Sequence, residues 1–587
     1  MISAVRELGK LFLENEKKST LSTLIENIDN ERYPNMVCVV LSANDPYDFV
    51  DVILEETNAV IGEKYLYRKK SPNGPNFSPT AIVTETEKTY SNKFLGWFIA
   101  LNKNKEIEKE HNDYFSKLRV SLERSQVQIL RKVNDIITNP KAGWVLTLKL
   151  GEHYLLDIPQ FKEYFIQSIF SKEEEISSTN QICSVCGQQK EKIYGGASPF
   201  KFYTIDKPGF ISGGFNEKLS WRNFPVCSEC YLALTEGKNV LKEYLAFRFY
   251  GLNYMLIPNF IFGKDSQKEI VNILINRSHK QITLSQRTED NLTTYEDDIL
   301  LSLAEAKDNV TFHFLFMQSQ QSAERILLVI EDVLPSRLRT IFAAKKATDK
   351  LFPKAPFHLG KIRSFLGKSD PSKNNTDLDK YFLEVVNSIF QGRTVQFGFL
   401  GSQFMREIRR EFLSSEKDQY AFKVYDAIQN TCFLSKLGLL ERKEGICVNT
   451  IFDEVFDRYS IQLDTNKKRG IFLLGSLTRM LLRIQWKERK AQPFISQLKG
   501  LKMNERDILG LLPKVQNKLM EYSRFDKQKE LLAKEITRLM LSSENKEDLT
   551  VDEMNFYFIC GMNLSYEVSF ILYGEKEKEE ENNDGDE

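Results

Sequence analysis

Four cysteines offer the clearest chemistry in the chain. Cys183-Ser-Val-Cys186-Gly187 and Pro225-Val-Cys227-Ser-Glu-Cys230 each contain a C-x-x-C pair. Two intervening residues let backbone N–H groups turn around one sulfur, so both thiolates can face one ion. Two such knuckles supply four soft ligands at tetrahedral geometry, the preference of structural zinc. Two disulfides, or four buried thiols, are the alternatives. The pairs are separated by 40 residues, more than the roughly 15–20 of the common zinc pattern. The connector must therefore be an ordered insert, and Gly195-Gly196 and Gly213-Gly214 offer it turns. A closed four-thiolate shell has no position for water, so zinc on Cys183, Cys186, Cys227 and Cys230 would stabilise the fold rather than catalyse.

Other chemistry is hard to assemble from these residues. Gly367-Lys368-Ser369 has the tail of a phosphate-binding loop, but Ile362 stands where glycine is needed. His111, His153, His279, His313 and His358 are isolated, whereas a metal nuclease would want a cluster. There is no G-x-S-x-G elbow, and the carboxylates form no spaced constellation. The expectation is a binding subunit, not an enzyme.

Cations supply the candidate binding residues. Arg68, Lys69 and Lys70 follow Tyr65 and Tyr67 and open a loop rich in proline, a setting suited to phosphate contact and stacking. Asn276 to Arg287 is a second basic loop. Arg337, Arg339, Lys345 and Lys346 follow Pro335-Ser336, which reads as a helix start. Arg406, Arg409 and Arg410 fall on one side of a helix. Over Gly470–Lys490, Leu473, Leu474, Leu477, Leu481 and Ile484 share one helical face, with Arg479, Arg483, Lys487 and Lys490 opposite. Residues 467–512 carry 11 basic and 3 acidic side chains, so this stripe is a candidate nucleic-acid contact. Each cationic row could equally be a solvated surface.

The frame that must position these groups is large. At 587 residues the chain exceeds one core, and several domains are expected. Lys+Arg and Asp+Glu both number 81, which excludes a uniformly basic coat but not local basic tracks. The N-terminus lacks a secretory apolar region, and no run of about 18 apolar residues exists. A cytoplasmic protein with no membrane contact is expected, in a reducing compartment where zinc thiolates persist. The fold class reads as α+β and multidomain: a mixed α/β N-terminal part, a zinc-ribbon-like four-cysteine insert and a C-terminal helical bundle. The expected boundaries are 1–180 (α/β), 181–235 (zinc module), 236–350 (mixed), 351–466 (mostly helical), 467–573 (bundle) and 574–587 (acidic disordered tail).

Element by element, Met36–Leu41, Val310–Phe316 and Ile326–Ile330 read as strands, and Tyr114–Ile137 as a helix. Trp144–Leu150 and His153–Asp157 read as a hairpin around Gly151-Glu152. Asn239–Leu256 reads as an amphipathic helix. Thr550-Val-Asp-Glu553 is a capping box opening a bundle helix, and Gly561 within it suggests close helix contact.

Taken together, these stretches resemble the large subunit of type I-B CRISPR Cascade, the Csh-type, TM-class large subunits. The likeness is carried by Tyr65-Leu-Tyr67-Arg68 with Phe77-Ser-Pro79-Thr80, the double cysteine knuckle and Ile326–Leu338. It continues in Phe472-Leu-Leu-Gly475-Ser-Leu with Gln485, Pro493-Phe494 and Leu498-Lys-Gly500-Leu501, and in Tyr557–Leu564. The N-terminal loop departs from the pattern, because Ser71–Asn76 is proline-rich and carries no charge. The resemblance implies a non-catalytic subunit of an RNA-guided DNA surveillance complex. Such a subunit sits at the crRNA 5′ end, reads the protospacer-adjacent motif on duplex DNA, holds the displaced strand in the R-loop and recruits the helicase-nuclease. Its partners would be crRNA, target double-stranded DNA with its displaced single strand, and the Cascade backbone and small subunits. Guide pairing reads sequence in such systems, while protein reads a short motif and backbone shape. On that reading Arg68, Lys69 and Lys70 meet motif-proximal DNA. Arg337, Arg339, Lys345 and Lys346 meet duplex or guide-end backbone, and Arg479, Arg483 and Lys487 meet the displaced strand. The C-terminal helical part is also often made separately as the small subunit. A zinc-containing nucleic-acid-processing enzyme and a protein-only scaffold are the rival readings.

Overall fold

The structure is a computed structural model describing all residues except 16–19, 27, 29–30, 58–62, 71–73, 102–108, 140–141, 175, 196–198, 201–215, 262–309, 321–322, 354, 371, 375, 415–418, 442–446, 544–548 and 575–587. The second basic loop, nearly all of the acidic tail, and Gly196, Gly213 and Gly214 lie outside the described residues. The chain is α+β and divides into two compact units, Met1–Ala246 with Gln318–Arg325, and Phe247–Met317 with Ile326–Glu587.

The first unit is built on a four-stranded sheet of order β2-β1-β4-β3, from β1 (Asn35–Leu41), β2 (Phe49–Glu56), β3 (Ala81–Ile82) and β4 (Trp144–Leu150). β1 and β4 pair in parallel, Met36 opposite Val145 and Leu41 opposite Leu150. Every residue of β4 is buried, which explains its near-continuous apolar run. The hairpin expected after Leu150 does not form. Both edges of β4 are already taken, by β1 and β3. Only the bridge Leu150–His153 remains, followed by a 3-10 turn at Leu155–Asp157.

The main helices of this unit are α1 (Ile2–Asn15), α2 (Lys109–Arg124), α3 (Gln126–Ile136), which packs on β1 and β2, and α4 (Pro159–Glu174). The single helix expected over 114–137 is thus two, with a break at Ser125. An antiparallel hairpin, β5 (Ser177–Ile182) and β6 (Gln189–Tyr194), leads to α5 (Ser228–Tyr244). α1 and α5 meet at backbone distance. A Cβ on Gly9 would stand 1.8 Å from the Ala233 carbonyl oxygen, and one on Gly237 2.2 Å from that of Val5.

A second sheet, of order β10-β9-β8-β7, is formed by β7 (Ala246–Phe249), β8 (Leu252–Phe260), β9 (Val310–Gln320) and β10 (Ala323–Val333). The helix expected over 239–256 therefore stops at Tyr244. Tyr250 and Gly251 both have positive φ, 47° and 84°, the geometry of a two-residue hairpin turn that suits strand twist. Phe249, Tyr254, Phe314 and Phe316 pack from this sheet against Phe382 and Phe390.

Helices follow: α6 (Pro335–Asp349), α7 (Gly360–Leu366), α8 (Asp379–Gln391), α9 (Phe397–Leu413) and α10 (Gln419–Lys436). The C-terminal region is helical, with α11 (Asn466–Arg489), α12 (Leu511–Glu521), α13 (Lys527–Leu541), α14 (Val551–Asn563) and α15 (Ser565–Tyr573). The Thr550–Glu553 capping box forms. α11 crosses α14 through two glycines: a Cβ on Gly561 would lie 1.8 Å from the Phe472 oxygen, and one on Gly475 2.0 Å from the Phe558 oxygen.

Candidate metal centre and cationic surfaces

The two cysteine pairs come together. The four Sγ atoms all lie within 4.8 Å of one another. Zn–S bonds of about 2.3 Å at tetrahedral angles place sulfurs about 3.8 Å apart, so a small contraction closes the set around one ion. Cys183, Cys227 and Cys230 are buried, and Cys186 is half-buried. All four are free thiols, so the two-disulfide alternative is not what the structure shows.

The knuckles are built differently. The first is the turn between β5 and β6, closed by Gly187 N–H on the Cys183 carbonyl at 2.8 Å, with Gly187 at φ 68°. The second caps a helix: Cys227 is the residue before α5 and Cys230 lies in its first turn. A helix N-terminus favours thiolate there. Tyr194 and Val226 exchange backbone hydrogen bonds and clamp hairpin to helix. The Cys227 N–H also points at Cys183 Sγ, 3.4 Å away. Hydrogen bonding from Cys230 pulls the Cys227 thiol down to about 5. That same bond, together with burial, pushes Cys230 up.

One neighbour was invisible in the sequence. Burial works against the charge of Arg6, but the sulfur of Cys230 and the carboxylate of Glu7 outweigh it and raise its pKa. Arg6 Nε is buried with no hydrogen-bond partner among the described residues. α1 thus presents a cation to the cluster, held there by the glycine contacts with α5. Lys190 on β6 adds a second positive group, anchored to Glu229 at 2.8 Å. Helical glycines at 9 and 237 were the available signal for this contact.

The candidate nucleic-acid residues are placed unevenly. Arg68 turns inward, donating to the Leu24 carbonyl at 2.8 Å and the Tyr231 hydroxyl at 3.2 Å. Lys69 and Lys70 are exposed, with the Lys70 ammonium 5.1 Å from the Phe77 ring centre. Arg337 donates through Nε and Nη2 to the Ile389 carbonyl, at 2.9 and 2.5 Å, and so closes the end of α8. Lys345 pairs with Asp349 at 2.9 Å, whereas Arg339 and Lys346 are exposed on α6. Arg479 is half-buried and donates to the Tyr420 hydroxyl at 3.1 Å. Arg483 is half-buried, and Lys487 and Lys490 are exposed. Arg406, Arg409 and Arg410 bond to the Phe365 carbonyl, the Leu501 carbonyl with Asp552, and Glu407 with Glu411.

A buried polar network supports the loop that carries Arg68–Lys70. Lys149 on β4 pairs with Glu55 on β2 at 2.9 Å. The Tyr65 hydroxyl donates to the other Glu55 oxygen at 2.7 Å, and Tyr154 reaches the same carboxylate at 3.3–3.4 Å. Burial opposes the charge on Glu55, but the bonds from Lys149 and the tyrosines prevail and hold its carboxyl below the ordinary range. Thr80 ties the loop down as well, donating to the Tyr65 carbonyl at 2.6 Å. Among the described residues no helix is long and apolar enough to cross a membrane.

Comparison with protein families accounts for most of the chain. The N-terminal domain of CRISPR-associated protein TM1802 (cas_TM1802) matches residues 1–167, its central domain 180–333 and its C-terminal domain 357–576. The central match contains all four clustered cysteines. A comparison with curated proteins finds no match. With three successive domains of one family aligned in order, the chain belongs to the CRISPR-associated TM1802 family.

Proposed function

We propose that the chain is the non-catalytic large subunit of a type I-B CRISPR surveillance complex. It recognises the protospacer-adjacent motif, stabilises the R-loop and recruits the helicase-nuclease. The observation that carries this reading is the ordered run of three TM1802-family domains. The cysteine cluster supports a structural rather than a catalytic metal: four thiolates complete a tetrahedral shell, and zinc held by Cys183, Cys186, Cys227 and Cys230 would pin hairpin β5–β6 to α5. Exposure favours Lys69, Lys70, Arg339, Lys346 and Lys487 as the cations that meet phosphate. Arg68, Arg337 and Arg479 then act one layer down, shaping the surfaces from which those lysines project.

The test is R-loop formation by the assembled complex with guide RNA, measured with and without this subunit. Charge reversal at Lys69 and Lys70 is expected to weaken target opening and flatten its salt dependence, with bound zinc unchanged. Cys183→Ser should lower bound zinc below one equivalent. Target opening by a complex lacking the chain, or metal-dependent DNA cleavage by the pure chain, would overturn the reading.

A further inference from the structure

The second unit contains an open cavity of about 590 Å³, bounded by Tyr250, His358, Arg363, Lys368, Glu407 and Arg410. One wall is aromatic. The Tyr250 and His358 rings lie nearly parallel, with centroids 6.1 Å apart and planes 16° from each other. They close over bare backbone, since a Cβ on Gly360 would come 2.8 Å from His358 Nδ1 and 2.9 Å from Tyr250 Cδ1. The Tyr250 turn is fixed from beneath by Arg363, which donates to the Tyr250 carbonyl and pairs with Asp379 at 2.7 Å.

The rest of the lining carries three cations, Arg363, Lys368 and Arg410, against one carboxylate, Glu407. Glu407, only 3% exposed in its side chain, receives both Arg406 and Arg410. One carboxylate cannot neutralise two guanidiniums. Glu411 and the exposed Asp370 approach Arg410 from outside and balance the charge of the wider neighbourhood, but neither lines the cavity. Lys368 adds a half-buried ammonium that makes no ion pair among the described residues. His358 Nδ1 is also buried without a hydrogen-bond partner there.

Lys368 does not belong to a nucleoside-triphosphate loop. In such loops the helix follows the Gly-Lys-Ser run, whereas here α7 precedes it. A site of this volume is instead suited to one small unit, as ligand pockets run about 300–1,000 Å³. Cations and a flat ring in one lining match the two halves of a nucleotide. A duplex is excluded because its bases are stacked and paired within the helix.

We propose that this cavity is a subsite for one nucleotide of a single nucleic-acid strand, its phosphate toward Lys368 and Arg410 and its base against Tyr250. The assignment rests on the nucleic-acid reading above and gives it a specific seat in the second unit. Guide RNA and displaced DNA share this chemistry, so both strands enter the test.

Full-length protein is titrated with fluorescent single-stranded RNA or DNA over a salt series. Halogenated-pyrimidine versions of the same strands are photo-crosslinked, and the attached residues are mapped. Lys368→Ala should weaken binding about fivefold and reduce the salt slope by about 0.7, the value of one phosphate contact on a single strand. Ser364→Trp, which fills the exposed mouth, should weaken binding at least about tenfold and reduce that slope by about the same 0.7, because the phosphate is excluded with the base. Crosslinks at Tyr250 or His358 complete the expected result, and the strand giving them identifies the source. Melting temperatures of both variants confirm folding. Wild-type binding and slope in both variants, with crosslinks elsewhere, would overturn the subsite alone. Failure of the unaltered protein to bind any strand would overturn it together with the nucleic-acid reading. Displacement of the strand by inorganic phosphate as readily as by a mononucleotide would overturn the base-stacking half.

Discussion

Substitution of Gly561 by alanine probes the crossing on which the C-terminal helices depend. The added methyl carbon would sit 1.8 Å from the Phe472 carbonyl oxygen. Carbon and oxygen need roughly 3.2 Å, so α11 and α14 must part by about 1.4 Å, against a packed interior that yields little. Such overpacking costs about 1–3 kcal/mol. Separation also stretches the hydrogen bond from Ser476 Oγ to the Gly561 carbonyl, now 2.8 Å, a further loss of about 1 kcal/mol. The sum, about 3 kcal/mol, is near the middle of the range. Gly398 provides the control, because a Cβ there meets nothing within 4 Å. Its alanine variant should gain up to about 1 kcal/mol from helix propensity. Amide hydrogen exchange followed by mass spectrometry reads both locally. Peptides from Asn466–Arg489 and Val551–Asn563 should exchange about 150-fold faster in Gly561→Ala, and no faster than wild type in Gly398→Ala. Wild-type protection of both segments in Gly561→Ala would show that the two helices are not locked through backbone contact.

Two further perturbations test the supports of the other candidate sites. Four thiolates around a divalent ion carry a net double negative charge that Arg6 faces, so Arg6→Ala should release zinc to a colorimetric chelator about fivefold faster. Arg6→Lys should fall between, and an unchanged release rate in both variants would remove Arg6 from the metal's surroundings. Lys149→Met breaks the ion pair with Glu55, whose side chains are 5% and 19% exposed. Removing one partner of such a pair costs about 3–5 kcal/mol, the lower end applying where one group keeps some solvent. The pH dependence should change with it. Because Glu55 titrates below its unfolded value in the folded protein, its contribution is present above about pH 4.3 and is lost as pH falls through the folded value. In the variant that acid loss should shrink or reverse. Parallel urea titrations at pH 7 and pH 4 with the same difference between wild type and variant would refute the pairing.

Sequence reasoning succeeded where the chemistry is local. The C-x-x-C spacing picked out the four cysteines that cluster, because a two-residue turn is short enough to constrain both sulfurs by itself. Capping at Thr550 and the helix start at Pro335 were equally local. It failed where a neighbour decided the outcome. His153–Asp157 has strand-like residues, but β4 had no edge left to receive them. Ala246–Leu256 carries apolar residues at spacings that also fit a helix, and the Tyr250-Gly251 turn and pairing with β9 settled it as strand. Arg6 lies 177 residues before Cys183 in the chain. No periodicity in one segment could connect them.

Charge was the least legible property, and α11 shows why. Helical spacing sorts residues 470–490 into an apolar face and a cationic one, as if one side met water. In the structure Phe472, Ser476, Thr478, Met480 and Leu482 are buried along with the leucines. α11 is enclosed by α12, α13, α14 and α15 along most of its length and emerges only near Trp486–Lys490. The basic surplus of residues 467–512 is therefore divided. Lys467, Lys468, Arg469 and Lys499 are held by Glu505, Asp464, Asp453 and Asp507, and Arg479 by Tyr420. For Lys468 and Arg469, whose side chains are 6% and 11% exposed, withdrawal from the partner costs several kcal/mol, far more than the roughly 1 kcal/mol a phosphate contact returns at physiological salt, whereas Lys499, 57% exposed and beyond α11, gives up its pair for about 1 kcal/mol or less. Nucleic acid would therefore engage the end of α11 rather than its length. Replacing Lys487 should weaken strand binding with little effect on folding, whereas replacing Arg469 should destabilise the helices first.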